Sequence, residues 1–314
     1  MPGTAGDIPP SLDPSKGRAV TAMAWILAAL MAVALGYFGA CYAVSRWLTR
    51  PARGALAHTP GDFGLTWENV ACPTTDGIEL AGWVMEPPAP RATVVLHHGL
   101  RCSREQILGR ATILVRAGYR CVAFDHRGHG QSSGSYTSFG YHEAADTAAV
   151  LDFVRRRWPQ APRAVVGLSM GAAAVVFAAE QTRAYDAVIL ESLYHDIASA
   201  FTARLTTTYP IWFRPLTAGI IRITEWRLGV PLARVVPAEH VGKLSPTPVL
   251  LLTGTDDYHA DPASVQRLFE RCGEPREFWL VPGAHHADVL EVAGRDYEER
   301  ILAFLDRRLP TKPS

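Results

Sequence analysis

With 314 residues, 48% of them hydrophobic and 19% charged, the chain holds enough apolar material for one large or two small domains, and a chain disordered throughout is excluded. Thirty-one Lys and Arg offset 30 Asp and Glu for a formal net charge of +1, so there is no basic excess to grip a phosphate backbone and no nucleic-acid partner is expected. The five cysteines, Cys41, Cys72, Cys102, Cys121 and Cys272, form no CxxC pair, which excludes a zinc ribbon; free buried thiols are expected, with one or two disulfides open if the body faces an oxidising compartment.

Residues 1–18, rich in Pro, Gly, Ser and Asp without periodicity, read as a disordered tail. From Ala19 to Ser45 no residue is charged, and the run exceeds the roughly 20 apolar residues that cross a bilayer. Tyr42, Arg46, Trp47 and Arg50 follow as an interfacial belt, so residues 19–45 are expected to be a single-pass transmembrane anchor. A cleaved signal peptide ending near Ala40 or Ala43 and a buried core helix are the competing readings; the run is longer than a signal peptide's apolar region and has no polar face. Lys16 and Arg18 on one side nearly balance Arg46, Arg50 and Arg53 on the other, which leaves the side of the rest of the chain open. Pro51, Gly54, Pro60, Gly61 and Gly64 mark residues 46–64 as a linker.

The body, residues 65–314, alternates. Strand-like runs occur at Ile78–Val84, Thr93–His97, Arg120–Phe124, Ala164–Leu168, Ala187–Leu190, Pro248–Thr253 and Glu277–Val281, with helical stretches at Glu105–Ala117, Glu143–Arg157 and Pro262–Cys272. This order predicts an α/β class, a mostly parallel doubly wound sheet whose first one or two strands are antiparallel. Alternation breaks at residues 195–243, where Phe201, Tyr209, Trp212, Phe213 and Trp226 occur without a strand; a helical cap insertion over the site is expected, or a pair of ordinary packing helices.

Gly167-Leu168-Ser169-Met170-Gly171 joins the strand ending at Leu168 to a helical run from Ala172 to Gln181. Strand, tight turn and helix are the setting in which a G-x-S-x-G serine is held out of the sheet as a nucleophile, with helix N–H groups aimed at developing negative charge. His97-His98-Gly99-Leu100 ends an earlier strand, so the backbone N–H groups of Leu100 and Met170 are the expected oxyanion hole. A serine nucleophile needs an acid and then a histidine later in the chain. Asp256 and Asp257 follow one strand and His285 and His286 follow the next, and position alone leaves the choice within each pair open. Glu191, at a strand end, is a minor alternative acid. A metallohydrolase is disfavoured despite 11 histidines, because neighbouring histidines on a strand point to opposite faces and neither H-x-H-x-D-H nor H-E-x-x-H occurs.

These motifs, with Asp125-His126-Arg127-Gly128-His129-Gly130-Gln131-Ser132, Gly254-Thr255-Asp256-Asp257 and Gly283-Ala284-His285-His286, make residues 65–308 resemble the α/β-hydrolases of the serine aminopeptidase-like and monoacylglycerol lipase-like branch. The resemblance implies Asp257 as the acid and His286 as the base beside Ser169, and a structural turn at Asp125–Ser132. His285 stands where that family often has Gly. The implied activity is hydrolysis of carboxylic esters, lipid acyl esters or thioesters through an acyl-enzyme, with no metal or organic cofactor. A serine peptidase of the aminopeptidase type and an inactive membrane-tethered binding protein are the alternatives.

Overall fold

The computed structural model describes residues 14–200 and 214–309. The eight strands are β1 (Trp67–Pro73), β2 (Glu79–Met85), β3 (Ala92–His97), β4 (Tyr119–Phe124), β5 (Arg163–Leu168), β6 (Ala187–Glu191), β7 (Val249–Gly254) and β8 (Arg276–Val281). They form one sheet in the order β1-β2-β4-β3-β5-β6-β7-β8. Both contacts of β2 are antiparallel and every pairing from β4 through β8 is parallel, as the alternation of apolar runs implies.

Side chains of a strand alternate between faces, so strands apolar at every position must be covered twice. Val95, Val122, Val165 and Val188 enter one core with α3 (Glu143–Arg157) and α4 (Met170–Phe177). Val94, Leu96, Val166 and Ile189 enter the other with α2 (Leu108–Arg116) and the final helix, Arg295–Arg308. That final helix buries Tyr297, Ile301, Phe304 and Leu305, the i, i+4, i+7, i+8 stripe of one helical face. It and β1 were not anticipated from the sequence. β1 is an edge strand carrying Glu68 and Asn69, and only Cys72 in it is buried.

The amino-terminal helix α1 runs from Pro14 to Leu48, beginning inside the stretch expected as a tail and ending three residues past Ser45. Residues 1–13 lie outside the described residues. Within α1, Thr21–Leu48 is long and apolar enough to cross a membrane. Its 28 residues span about 42 Å at ~1.5 Å each, more than the ~30 Å of a hydrocarbon core. The excess turns are packed against the body. Cys41, Ser45, Leu48 and Thr49 are buried, mainly against helix Arg214–Leu228, numbered α6 after the short α5 (Ala179–Thr182). The Thr224 hydroxyl donates to Ser45 Oγ at 2.9 Å, and the Arg227 guanidinium to Ser45 Oγ at 2.9 Å and Thr49 Oγ1 at 3.0 Å.

Part of the segment expected as a linker, residues 46–64, is bonded to the body. Gly130 N donates to Ala52 O at 2.7 Å, Thr137 N to Thr49 O at 3.2 Å, and the Arg53 guanidinium to Gly134 O and Ser132 O at 3.0 and 3.2 Å. The segment is a strap bound to the 125–137 loops; its Pro and Gly shape turns on a surface rather than loose chain. Of the expected cap, the aromatic residues 201, 209, 212 and 213 lie outside the described residues, and α6 is followed by three short 3-10 turns between Leu232 and Leu244. Trp226 of α6 is 69% exposed. All five cysteines are free thiols.

Candidate active site

The parallel strands end at one edge of the sheet, where chain reversals gather side chains that are distant in sequence. β5 ends at Leu168 and α4 begins at Met170, so the whole turn is Ser169, at φ 53° and ψ −111°. A non-glycine residue holds such a conformation only when its surroundings enforce it. Here the flanking glycines permit it: a Cβ on Gly167 would lie 2.6 Å from Ala172 Cα, and one on Gly171 2.7 Å from the carbonyl oxygens of His97 and His98. Ser169 N donates to Glu191 O at 2.8 Å, which ties the turn to the end of β6.

Ser169, His286 and Asp257 come together. Ser169 Oγ lies 2.9 Å from His286 Nε2, and His286 Nδ1 lies 2.9 and 3.0 Å from the two carboxylate oxygens of Asp257. Asp257 sits just past β7. Thr253 Oγ1 at 3.1 Å and the backbone N–H groups of His259 and Ala260 at 3.0 and 2.8 Å all donate to its carboxylate. Burial acts to raise the pKa of Asp257, but the hydrogen bond and charge of His286, joined by the Ala260 N–H and the Ser192 hydroxyl, hold it below the ordinary carboxylate value, so it is ionised at neutral pH. A negative acceptor at Nδ1 fixes the imidazole with its proton on that nitrogen and leaves Nε2 facing the serine as acceptor.

The neighbours left open by position are placed elsewhere. Asp256 is exposed, bonded to the Thr255 hydroxyl, and the exposed His285 has its Nδ1 3.2 Å from Asp256 O. Glu191 is wholly buried in a separate cluster with Arg110, 2.8 Å away, and the Tyr297 hydroxyl.

Leu100 and Met170 both line the cavity over Ser169, and among the described residues neither amide nitrogen has an acceptor. The Gly99 amide, by contrast, is held by Gln106 Oε1 at 2.7 Å. His98 stays structural: its Nδ1 is 2.8 Å from Gly99 O, and its Nε2 accepts from His126 N at 3.0 Å, which places the proton on Nδ1. Asp125, buried, accepts from Arg104 N and its guanidinium and from Gln131 N, holding the 125–132 turn against the loop after β3. Among the described residues no three His, Cys, Asp or Glu side chains converge as a metal-ligand set.

Four contributors escaped sequence reasoning. Ser192, buried at φ 50° after β6, has its hydroxyl bonded to the Asp257 carboxylate and 3.4 Å from Ala287 N. The ring of His259 packs edge-on against His286 at 5.0 Å. Trp47 and Leu48, at the end of α1, line the cavity over Ser169. Only Trp47 gave a signal, and it suggested a membrane interface. The cavity itself measures about 340 Å³ and is walled mainly by apolar side chains, among them Leu100, Phe139, Met170 and Ile197.

Residues 88–230 match the family model described as serine aminopeptidase, S33. The uncharacterized protein YqkD of Bacillus subtilis is similar to this chain, 25% identical over 239 residues that cover 74% of this chain and 77% of the relative. Protein bem46 of Schizosaccharomyces pombe is 25% identical over 288 residues, 88% of this chain and 91% of its own. Among solved structures, an esterase of Pyrococcus furiosus superposes with a TM-score of 0.71 at 23% identity, covering 84% of this chain and 99% of the esterase. Sheet order, the turn at Ser169 and the structural likeness agree: the chain has the α/β-hydrolase fold, and its residues 88–230 are similar to the serine aminopeptidase family.

Proposed function

We propose that the chain is a membrane-anchored serine esterase that cleaves carboxylic esters with a medium or long acyl chain through an acyl-enzyme. The observation that carries this reading is the continuous contact Ser169 Oγ, His286 Nε2, His286 Nδ1, Asp257 carboxylate. Ser169 Oγ attacks the ester carbonyl carbon as its proton passes to His286 Nε2, and the amides of Leu100 and Met170 receive the oxyanion. Asp257 stabilises the imidazolium, which then protonates the departing alkoxide as the carbon–oxygen bond breaks. Water repeats the sequence on the acyl-enzyme, giving its proton to His286, and releases the carboxylic acid with Ser169 restored. No step needs a metal or organic cofactor.

The substrate class rests on the apolar cavity and on α1. A volume of about 340 Å³ is near the lower end of the ~300–1,000 Å³ typical of ligand sites, which suits one acyl chain better than a diacyl lipid. The exposed apolar face of α1, including Trp25, Leu30 and Leu35, supports a single membrane span. Each added CH₂ buried is worth ~0.8 kcal/mol, so four extra carbons should raise kcat/KM by about two orders of magnitude. The test is kcat/KM for acetyl through dodecanoyl p-nitrophenyl esters below their micelle concentrations, with aminoacyl anilides in parallel. A rising series supports the lipid-ester reading. A flat series rejects that substrate class, and anilide turnover exceeding that of every ester replaces it with a peptidase.

A further inference from the structure

We propose that the carboxyl-terminal end of α1 is part of the catalytic site: Trp47 and Leu48 form the wall that receives the substrate's acyl chain and set chain-length specificity. The inference rests on the serine-esterase reading and adds to it, because it makes the membrane helix a component of the pocket as well as a tether.

Four observations converge on it. Trp47 and Leu48 line the same cavity as Ser169, His286, Leu100 and Met170, although they lie more than a hundred residues before the serine. Leu48 is 8% exposed and fixed within the core, whereas Trp47 is 45% exposed, so one residue forms a rigid wall and the other a rim. The Arg101 guanidinium lies 4.9 Å from the centre of the Trp47 ring, and Arg101 directly follows the oxyanion residue Leu100 at a strained φ of 59°. The end of the helix is therefore clamped to the loop that carries the oxyanion donor. Finally, the last turns are anchored from behind by Thr224 and Arg227 of α6 and from below by the 49–54 strap, so the wall is preorganised.

The helix face that ends at Trp47 also suits delivery from lipid. Residues four, seven and eleven positions earlier share that face. They are Ala43, Ala40 and Gly36, all exposed, and together they leave a shallow track along the helix. A single-chain amphiphile whose tail lies along this track reaches the cavity without leaving an apolar surface, and its ester group arrives at Ser169 beside the rim. A cavity of about 340 Å³ suits one tail better than two, so the substrate class that fits it is a monoacyl amphiphile.

The experiment uses the full-length protein in detergent and an alkyl fluorophosphonate of about ten carbons carrying a diazirine at its chain end. Reaction at Ser169 tethers the chain in the acyl position, and irradiation marks its neighbour. Crosslinks within residues 36–50 are expected; Ser169 labelling with crosslinks only elsewhere in the chain overturns the inference and leaves the esterase reading standing. Absence of labelling at Ser169 overturns the esterase reading itself. A second measurement compares kcat/KM for decanoyl and acetyl esters in Leu48→Ala, Trp47→Ala and the lipid-facing control Leu30→Ala. The decanoyl-to-acetyl ratio should fall at least tenfold in the first two and not in the control. If Trp47→Ala loses its fold, Trp47→Phe, expected to keep most of the ratio, and Trp47→Leu, expected to lose it, decide. An unchanged ratio in folded variants at both positions refutes the assignment.

Discussion

Acidification should destabilise the body through the histidines at the end of β3, before the loop that carries Leu100. His97 and His98 are completely buried, and burial, reinforced by neighbouring His126, holds both well below the ordinary histidine value of 6.5. His97 has no hydrogen-bond partner on either ring nitrogen among the described residues, and its ring stacks on His126 at 5.0 Å. A group whose folded value is depressed stays neutral in the native state while the unfolded chain takes up a proton below about pH 6.5. Stability is therefore complete above that value and falls as the pH drops through it. Between about pH 7.5 and about pH 5.5 each imidazole should cost on the order of 1 kcal/mol. His129, also lowered by burial, acts in the same direction. Urea unfolding of the detergent-solubilised protein, followed by tryptophan fluorescence across this range, measures the slope, and His97→Leu should remove nearly half of it. A stability that is flat or rises on acidification would refute the assignment of neutral, proton-excluding histidines.

Three further outcomes follow from the geometry. Asp257→Asn should lower kcat about ten-thousandfold by taking the charge from His286, whereas Asp256→Asn, on an exposed carboxylate bonded to the Thr255 hydroxyl, should change it less than about threefold; steady-state ester kinetics on both variants would expose a reversed ranking. Gly254→Ala would place a Cβ 1.9 Å from Ala284 O, pushing the His286 loop away from Asp257, so activity should fall with little loss of far-ultraviolet dichroism. A truncation beginning at Met31 should keep the thermal midpoint, but one beginning at Pro51 removes Leu48 and Ser45 from α6 and should lower the midpoint by roughly 5 °C or more, as scanning calorimetry would detect.

The parallel sheet was legible because β3 to β7 are apolar at nearly every position, a pattern that only a doubly covered strand tolerates. Ser169 was legible because Gly167 and Gly171 report a turn that no other residue can make. Choosing between Asp256 and Asp257, or between His285 and His286, is a matter of which way adjacent side chains point, and the short loops after β7 and β8 decide that only in three dimensions; the family resemblance favoured the members that the structure brings together with Ser169. β1 stayed hidden because an edge strand needs little apolar surface. The final helix was missed even though Tyr297, Ile301, Phe304 and Leu305 show its period plainly. The strap at residues 49–54 could not be recovered from composition, since its order comes from bonds to loops some eighty residues later in the chain. For the same reason α1 read as a tether: nothing local in Trp47 or Leu48 reports that they face Ser169.

The central claim is that Ser169 becomes acylated. It is tested most directly by incubating the full-length protein with a fluorophosphonate and mapping the adduct by peptide mass spectrometry. One adduct on Ser169, lost in Ser169→Ala and slowed at least a hundredfold in His286→Ala, is the predicted result. A folded protein that turns over esters while Ser169 stays unmodified, or that keeps its turnover in Ser169→Ala, would contradict the account.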